Sequence, residues 1–242
     1  MTYIIIGGSS GLGRALAERF SAAGYDLVLV SRDQRDTSRL ATHLAIKYGI
    51  KVSSVEMDLS CAPLSFDAID ALLLEHTALK GLLIPAGIND EADSIGLSED
   101  KLEYLTRVNY IAPCQLVNHY LPLLEKNSGV IVGFGSVATA RGRTRNAAYA
   151  AAKGALKSYF ESLAHYAESH DLSCQYYVLG YLDTNLAFAQ KLLFPLASPE
   201  TVANVVYKKQ FTTGRYFLPR LWYILYRTIQ ILPWAIFKRL SF

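Results

Sequence analysis

The sequence predicts an α/β fold, a doubly wound parallel sheet with helices on both faces, followed by a basic, aromatic C-terminal appendage. Three observations lead to it. Short apolar, β-branched runs alternate with longer helical patterns through the first 180 residues. A glycine-rich turn joins the first such run to the first helical pattern. Beyond about residue 207 the composition changes, with cations and aromatics crowding the chain and acids absent.

The elements follow in order. Tyr3-Ile4-Ile5-Ile6 is the first strand, and residues 7–13 form the glycine-rich turn. Residues 14–23 read as a helix with Leu16, Ala17 and Phe20 on one side, ended by Gly24. Strands are expected at residues 26–30, 52–56, 81–84, 129–134 and 174–179, with helical patterns between them, for example residues 102–125 and 147–169. Short, continuously apolar strands separated by helices imply parallel pairing with both faces covered. The division expected is one domain over residues 1–206, including a substrate lid at about 185–198, and an appendage over residues 207–242.

The chain has 242 residues, 51% of them hydrophobic and 19% charged, enough for a sizeable core and too apolar for a disordered chain. Net charge is +3, too small an excess to indicate a nucleic-acid partner. After Glu200 the chain carries Lys208, Lys209, Arg215, Arg220, Arg227, Lys238 and Arg239, a local +7 that leaves −4 on the first 200 residues. Cys61, Cys114 and Cys174 show neither a disulfide framework nor metal spacing, which argues for a reducing, cytoplasmic setting. The five histidines make no HxxxH or HExxH pattern, so no metal site is expected. No signal peptide opens the chain, and no uncharged apolar run reaches the ~18 residues of a membrane span.

Gly7-Gly8-Ser9-Ser10-Gly11-Leu12-Gly13 sits where a strand gives way to a helix. Glycines there allow positive φ and close approach of the backbone to a pyrophosphate, and the helix N-terminus favours the anion. This is the arrangement of a Rossmann-type dinucleotide site. An acidic residue at the end of the second strand would hold the ribose of NAD, but here the strand ends Val30-Ser31-Arg32. A guanidinium pairs with a 2′-phosphate that a carboxylate would repel, so Arg32 points to NADP(H). The alternative is that Arg32 is a solvated loop arginine and Asp33 does the acidic work.

Tyr149 and Lys153 stand at i and i+4 of one helical pattern, Tyr149-Ala150-Ala151-Ala152-Lys153. An ammonium near a phenol lowers its pKa, and such a tyrosine can give or take a proton at a carbonyl or alcohol oxygen. Ser136, just past the fifth strand, can hydrogen-bond the same oxygen. The alternative is an exposed helix pair without chemistry.

With these residues in view the sequence resembles the short-chain dehydrogenase/reductase family from Tyr3 to about Phe211. Gly7, Gly11 and Gly13 match its glycine motif, with Ile6 in place of a threonine. Ser9, Ser10 and Leu12 complete that loop. The resemblance implies that Asp58, with its neighbour Leu59, holds the adenine amino group. Ala86 and Gly87 match the end of NNAG, whose two asparagines are here Ile84 and Pro85. Losing them is expected to change how the central strands are tied together. Asn109 matches the asparagine of the proton relay, and Ser136, Tyr149 and Lys153 match the catalytic serine and YxxxK. Gly180 and Thr184 match PGxxxT, with Leu179 replacing the proline. The implied activity is hydride transfer between NADP(H) and a ketone or secondary alcohol. Tyr149 is the acid–base, Lys153 lowers its pKa and binds ribose, Ser136 polarises the carbonyl and Asn109 holds a relay water.

Arg141, Arg143 and Arg145 fall between Ser136 and Tyr149, a loop that in this family borders the substrate cleft. They point to an anionic substrate, against the alternative of a solvated or subunit-facing loop. The expected lid carries Leu186, Phe188, Leu192, Leu193 and Phe194. In residues 214–242, Trp222, Trp234, tyrosines and cations suit a membrane headgroup boundary, and Arg227 and Pro233 break any span. The alternative is a helix packed on the core or on a second subunit. Arginine loop and tail together resemble the branch acting on polyprenyl-phosphate-linked keto-sugars. The partners expected are a small-molecule or lipid-linked carbonyl substrate, the inner face of a membrane through residues 214–242, and a second copy in a homo-oligomer, with no nucleic acid. The competing function is a non-catalytic NADP(H)-binding scaffold that docks through its tail.

Overall fold

The computed structural model describes residues 1–182 and 196–240. Its centre is a seven-stranded, wholly parallel sheet in the order β3-β2-β1-β4-β5-β6-β7, with β1 Thr2–Ile6, β2 Asp26–Ser31, β3 Val52–Glu56, β4 Leu79–Ile84, β5 Val130–Ser136, β6 Ser173–Leu179 and β7 Gly214–Leu218. The order reverses between β1 and β4, and this opens a crevice beyond the C-terminal ends of the central strands.

Period-two alternation assigns the two faces. From β1, Tyr3 and Ile5 join a core with Leu16 and Phe20 of α1 (Gly11–Ser21), Leu40 and Leu44 of α2 (Gln34–Tyr48) and Val202 of α7 (Pro199–Lys209). Ile4 and Ile6 join the opposite core with Ile69 of α3 (Asp67–Glu75), Leu116 of α5 (Ala112–Lys126), and Leu156 and Phe160 of α6 (Ala147–Ala167). Every residue of β1 is buried, which is why its sequence reads as a continuous apolar run rather than an alternating one. The expected helix over residues 102–125 is three pieces, α4 (Glu99–Thr106), a π-helical turn Arg107–Ile111 and α5.

The expected division at 206/207 falls inside α7, and β7 pairs with β6 from Gln175↔Gly214 to Leu179↔Leu218. The sheet therefore continues into the segment read from sequence as an appendage. β7 is an edge strand whose residues are half-buried or exposed, and Arg215 interrupts its apolar pattern. The remaining tail forms α8 (Leu221–Ile231) and α9 (Trp234–Phe237), with Trp222, Tyr226 and Phe237 buried. Among the described residues no helix is long and apolar enough to cross a membrane.

Candidate active site

The glycine turn is built as its residues dictate. Gly7 has φ +87° and Gly11 φ +48°, and a Cβ on Gly13 would lie 1.9 Å from the Gly7 carbonyl oxygen. Only glycine lets α1 begin so close beneath the loop. The Gly7 N–H donates to Val30 O at 2.7 Å, which fixes the turn to the end of β2. Ser10, half in the helix, makes no side-chain cap, and the first turn of α1 carries no acid, so its N–H groups suit an anion. This cradle fits the pyrophosphate of a dinucleotide. Ser9 is half-buried, Ser10 exposed and Leu12 buried beneath the loop.

At the end of β2 the expected residues divide. Ser31 is buried, and its hydroxyl is held between Thr37 Oγ1 and the Asp33 carbonyl oxygen. Its hydroxyl is thereby engaged within the β2–α2 turn. Asp33 Oδ1 accepts the Asp36 N–H at 3.0 Å as the N-cap of α2. Arg32 is exposed, and its Nη1 donates to the Tyr104 hydroxyl at 3.1 Å. Opposite it, Asp58 Oδ1 accepts from the Ser60 N–H at 2.8 Å and the Ser60 hydroxyl at 2.7 Å. Burial works to raise the Asp58 pKa, but the two Ser60 bonds and the Arg32 charge outweigh it and hold the carboxyl below its ordinary value. Leu59 is buried behind it.

The segment after β4 runs under the centre of the crevice. The Ala86 N–H donates to Ile6 O at 3.0 Å, a main-chain tie between β1 and the end of β4 where the missing NNAG asparagines were expected to be felt. A Cβ on Gly87 would lie 3.0 Å from both Asn109 Oδ1 and Lys153 Nζ, so these two groups converge on one bare backbone position. Asn109, fully buried on the π-helical turn, accepts the Ile88 N–H at 3.1 Å and donates to Ile88 O and Leu105 O, both at 2.9 Å. π-Helical turns inside helices frequently mark functional sites.

Lys153 is buried, and its Nζ donates to Phe134 O at 3.2 Å. Burial disfavours its charge and pushes its pKa down to about 8. Tyr149 is half-buried one turn earlier, with the Ser136 hydroxyl near enough to act on its phenol. Burial raises the phenol pKa and the nearby Ser136 hydroxyl only partly opposes it. The shift runs opposite to the lowering expected from Lys153, because burial penalises the phenolate. Ser136 itself ends β5 and accepts the Ala138 N–H at 3.1 Å on Oγ.

The three loop arginines line one groove, and Arg141 is also tied to the tail. Arg141 Nη1 donates to Ile229 O at 3.3 Å and to Leu232 O, and its guanidinium lies 4.6 Å from the Phe237 ring centre and 5.6 Å from that of Trp234. It caps the C-terminal end of α8, where free carbonyls attract a cation, and so joins the groove wall to the tail. Arg143 and Arg145 line an open groove of about 1100 Å³ together with Ile95, Ala151, Trp234 and Lys238. Gly180 lies against the Trp222 indole, which fills the space a Cβ there would take. Thr184 and lid residues 185–195 lie outside the described residues. The chain on either side of them meets at a parallel bridge between Leu182 and Ala197. Among the described residues no group of His, Cys, Asp and Glu is arranged to hold a metal.

Comparison with known proteins decides the family, since the short chain dehydrogenase family model matches residues 1–191. The chain belongs to the short-chain dehydrogenase family. The dehydrogenase/reductase SDR family member 7B of Danio rerio is 30% identical over 190 residues, covering 76% of this chain and 62% of that protein. The chain thus spans about three fifths of that relative's length. A solved 7β-hydroxysteroid dehydrogenase superposes with a TM-score of 0.83 at 17% identity, covering 95% of this chain and 92% of the other. A short-chain dehydrogenase from Sphingobium yanoikuyae in complex with NADPH gives 0.80 at 23% identity, covering 99% and 96%. Both structures show the shared fold. As a short-chain dehydrogenase, the protein belongs to a family of oxidoreductases that bind a nicotinamide cofactor.

Proposed function

We propose that the protein is an NADPH-dependent reductase that interconverts a ketone and a secondary alcohol. The observation that carries this reading is the convergence of Lys153 Nζ and Asn109 Oδ1 on the bare backbone of Gly87, with Tyr149 one helical turn before Lys153 and the Ser136 hydroxyl near enough to act on its phenol. NADPH, when bound, supplies the hydride. The residues of this chain position the carbonyl and handle the proton. Ser136 donates a hydrogen bond to the carbonyl oxygen and orients it. Tyr149 gives that oxygen a proton in reduction and takes one back in oxidation. Burial raises the phenol pKa and so keeps the group in its acid form near neutral pH, the form that reduction needs. Lys153 lies on the same helix face for the nicotinamide ribose, and Asn109 fixes the floor through both backbone groups of Ile88.

Cofactor choice rests on Arg32. Asp33, the competing acid, is engaged as the α2 cap, whereas the Arg32 guanidinium stands exposed across from Asp58. The Sphingobium relative carries NADPH. The substrate proposed is a lipid-linked or phosphorylated keto-sugar. Support comes from the groove beside the 137–145 loop, whose cations Arg143, Arg145 and Lys238 adjoin apolar Ile95, Trp234 and Leu240, with no acid in its lining. The exposed side of the tail presents Tyr223, Ile224, Ile231, Trp234 and Ile236 among Arg220, Arg227, Lys238 and Arg239, a surface suited to peripheral contact with an anionic bilayer.

The test is oxidation of NADPH by ketones with the wild type and with Tyr149→Phe. The variant keeps the ring and loses the proton, so kcat falls about 10²–10⁴-fold while NADPH affinity is unchanged. Wild-type turnover in the variant refutes the assignment. NADPH binding without turnover of any carbonyl in the wild type favours the scaffold reading.

A further inference from the structure

The helix that carries Tyr149 and Lys153 starts without help from its own sequence. Its N-cap, Asn146, sits in the left-handed region at φ +56° and makes no side-chain cap. The N–H groups of the first turn have no intrahelical acceptor and need one from elsewhere. Asp93, 55 residues upstream of Ala148, supplies it. Asp93 is 2% exposed. Its Oδ1 accepts the Ala148 N–H at 3.0 Å, its Oδ2 accepts the Tyr149 N–H at 2.8 Å, and its carbonyl oxygen accepts the Asn146 N–H at 2.8 Å. A neighbouring bridge pairs Ser94 with Arg145.

We infer that Asp93 is a positioning residue for the reaction: its carboxylate clamps the start of α6 and so fixes the placement of the Tyr149 phenol against Ser136. The inference rests on the proposed role of Tyr149. The geometry demands a carboxylate, because two separate oxygens each take one N–H, and a negative charge is favoured at a helix N-terminus. An alanine offers neither acceptor, and an asparagine offers one. Asp93 also belongs to the segment that bears Gly87 and Ile88, which contact Lys153 and Asn109. One stretch of chain after β4 therefore touches three of the four expected catalytic residues. Displacement of Tyr149 by fractions of an ångström disturbs proton transfer while leaving the glycine loop, and hence cofactor binding, as it was.

The experiment compares Asp93→Ala, Asp93→Asn and a control, Leu163→Ala, in the full-length protein. Leu163 is buried on the same helix, about four turns beyond Tyr149, and its loss destabilises α6 without touching the clamp. Amide hydrogen exchange is followed at residues 148 and 149. Turnover is followed with NADPH and cyclohexanone, acetophenone or phenanthrenequinone as carbonyl probes, and NADPH affinity by its fluorescence. In Asp93→Ala, exchange at 148 and 149 accelerates at least ~10-fold and kcat falls at least ~10-fold, with the NADPH Kd within ~2-fold of wild type. Asp93→Asn, which keeps one acceptor, falls between Asp93→Ala and wild type in kcat, and Leu163→Ala leaves both readouts near wild type at temperatures where it is folded. An unchanged kcat in Asp93→Ala overturns the inference, as does an equal fall in Leu163→Ala, which would make the effect one of general stability. Tyr149→Phe is run alongside. If it keeps full turnover, or if the wild type reduces none of the probes, the reading of the site has failed. Exchange then judges the clamp alone, and unchanged protection at 148 and 149 in Asp93→Ala overturns it.

Discussion

Replacing Lys153 with methionine should leave a protein with little activity that is more stable than the wild type at neutral pH. The side chain is 4% exposed, and burial takes its ammonium from 10.5 to about 8. At roughly 1.4 kcal/mol per pKa unit, keeping the group charged below pH 8 costs the folded state on the order of 3 kcal/mol. Methionine fills the same slot without charge. It forfeits the hydrogen bond to Phe134 O, worth about 1 kcal/mol, which leaves a net gain of about 2 kcal/mol. For a chain of this size that gain raises Tm by roughly 4–8 °C.

The pH dependence carries the diagnosis. Below about pH 8 the lysine is protonated in both folded and unfolded states, and the penalty is present in full. Between about 8 and 10.5 the unfolded state binds more protons than the folded one, so the wild type gains stability as pH rises. The gap between wild type and Lys153→Met is therefore widest at neutral pH and closes toward pH 10. The assay is thermal denaturation of both cofactor-free proteins across that range. A variant that melts at or below the wild type at pH 7, or an offset that does not narrow, refutes the claim that Lys153 is held at an energetic cost for its role in the site.

Other outcomes follow from the same geometry. Arg32→Asp should shift preference from NADPH toward NADH by roughly 10–100-fold, the worth of a charged hydrogen bond, and equal affinity of the wild type for both cofactors in a titration would remove the basis for it. The full-length protein should co-sediment with anionic vesicles at low salt and be released as salt rises, since each cation near such a surface contributes about 1 kcal/mol within a Debye length. Ile224→Glu with Trp234→Glu, both on exposed positions, should abolish that binding without unfolding the sheet, and a wild type that stays in the supernatant refutes it.

What could be read from the sequence follows from how local each signal is. β1 appears near its expected limits because a strand buried on both faces is a continuous apolar or β-branched run between turn residues. The glycine turn and the Tyr149–Lys153 spacing are local patterns with local causes. β7 escaped because an edge strand is wetted on one side, and Arg215, paired there with Glu161, looks like part of a charged tail. Asp93 left no local signal at all. Its partners lie 55 and 56 residues away, in the first turn of α6, and only the folded sheet brings them to it. The tie of Arg141 to the tail was hidden for a related reason, since its partners are main-chain carbonyls, which every residue possesses.

The arginine and the tail explain each other. The Tyr226 hydroxyl meets Thr139 Oγ1 at 3.3 Å, two residues from Val137 and three from Ser136, while Arg141 grips the end of the same helix. On its other side Trp222 packs on Gly180 and edge-on to Tyr181 at 5.7 Å, where β6 hands over to the segment bearing the lid. One short helix thus braces both walls of the crevice, the serine turn and the strand end opposite it. The buried side of this segment holds the walls of the crevice, while its exposed side is apolar and cationic. That arrangement also requires that the tail be probed by substitutions on its outer side, because its removal from Gly214 onward would take away a strand of the sheet along with any membrane contact.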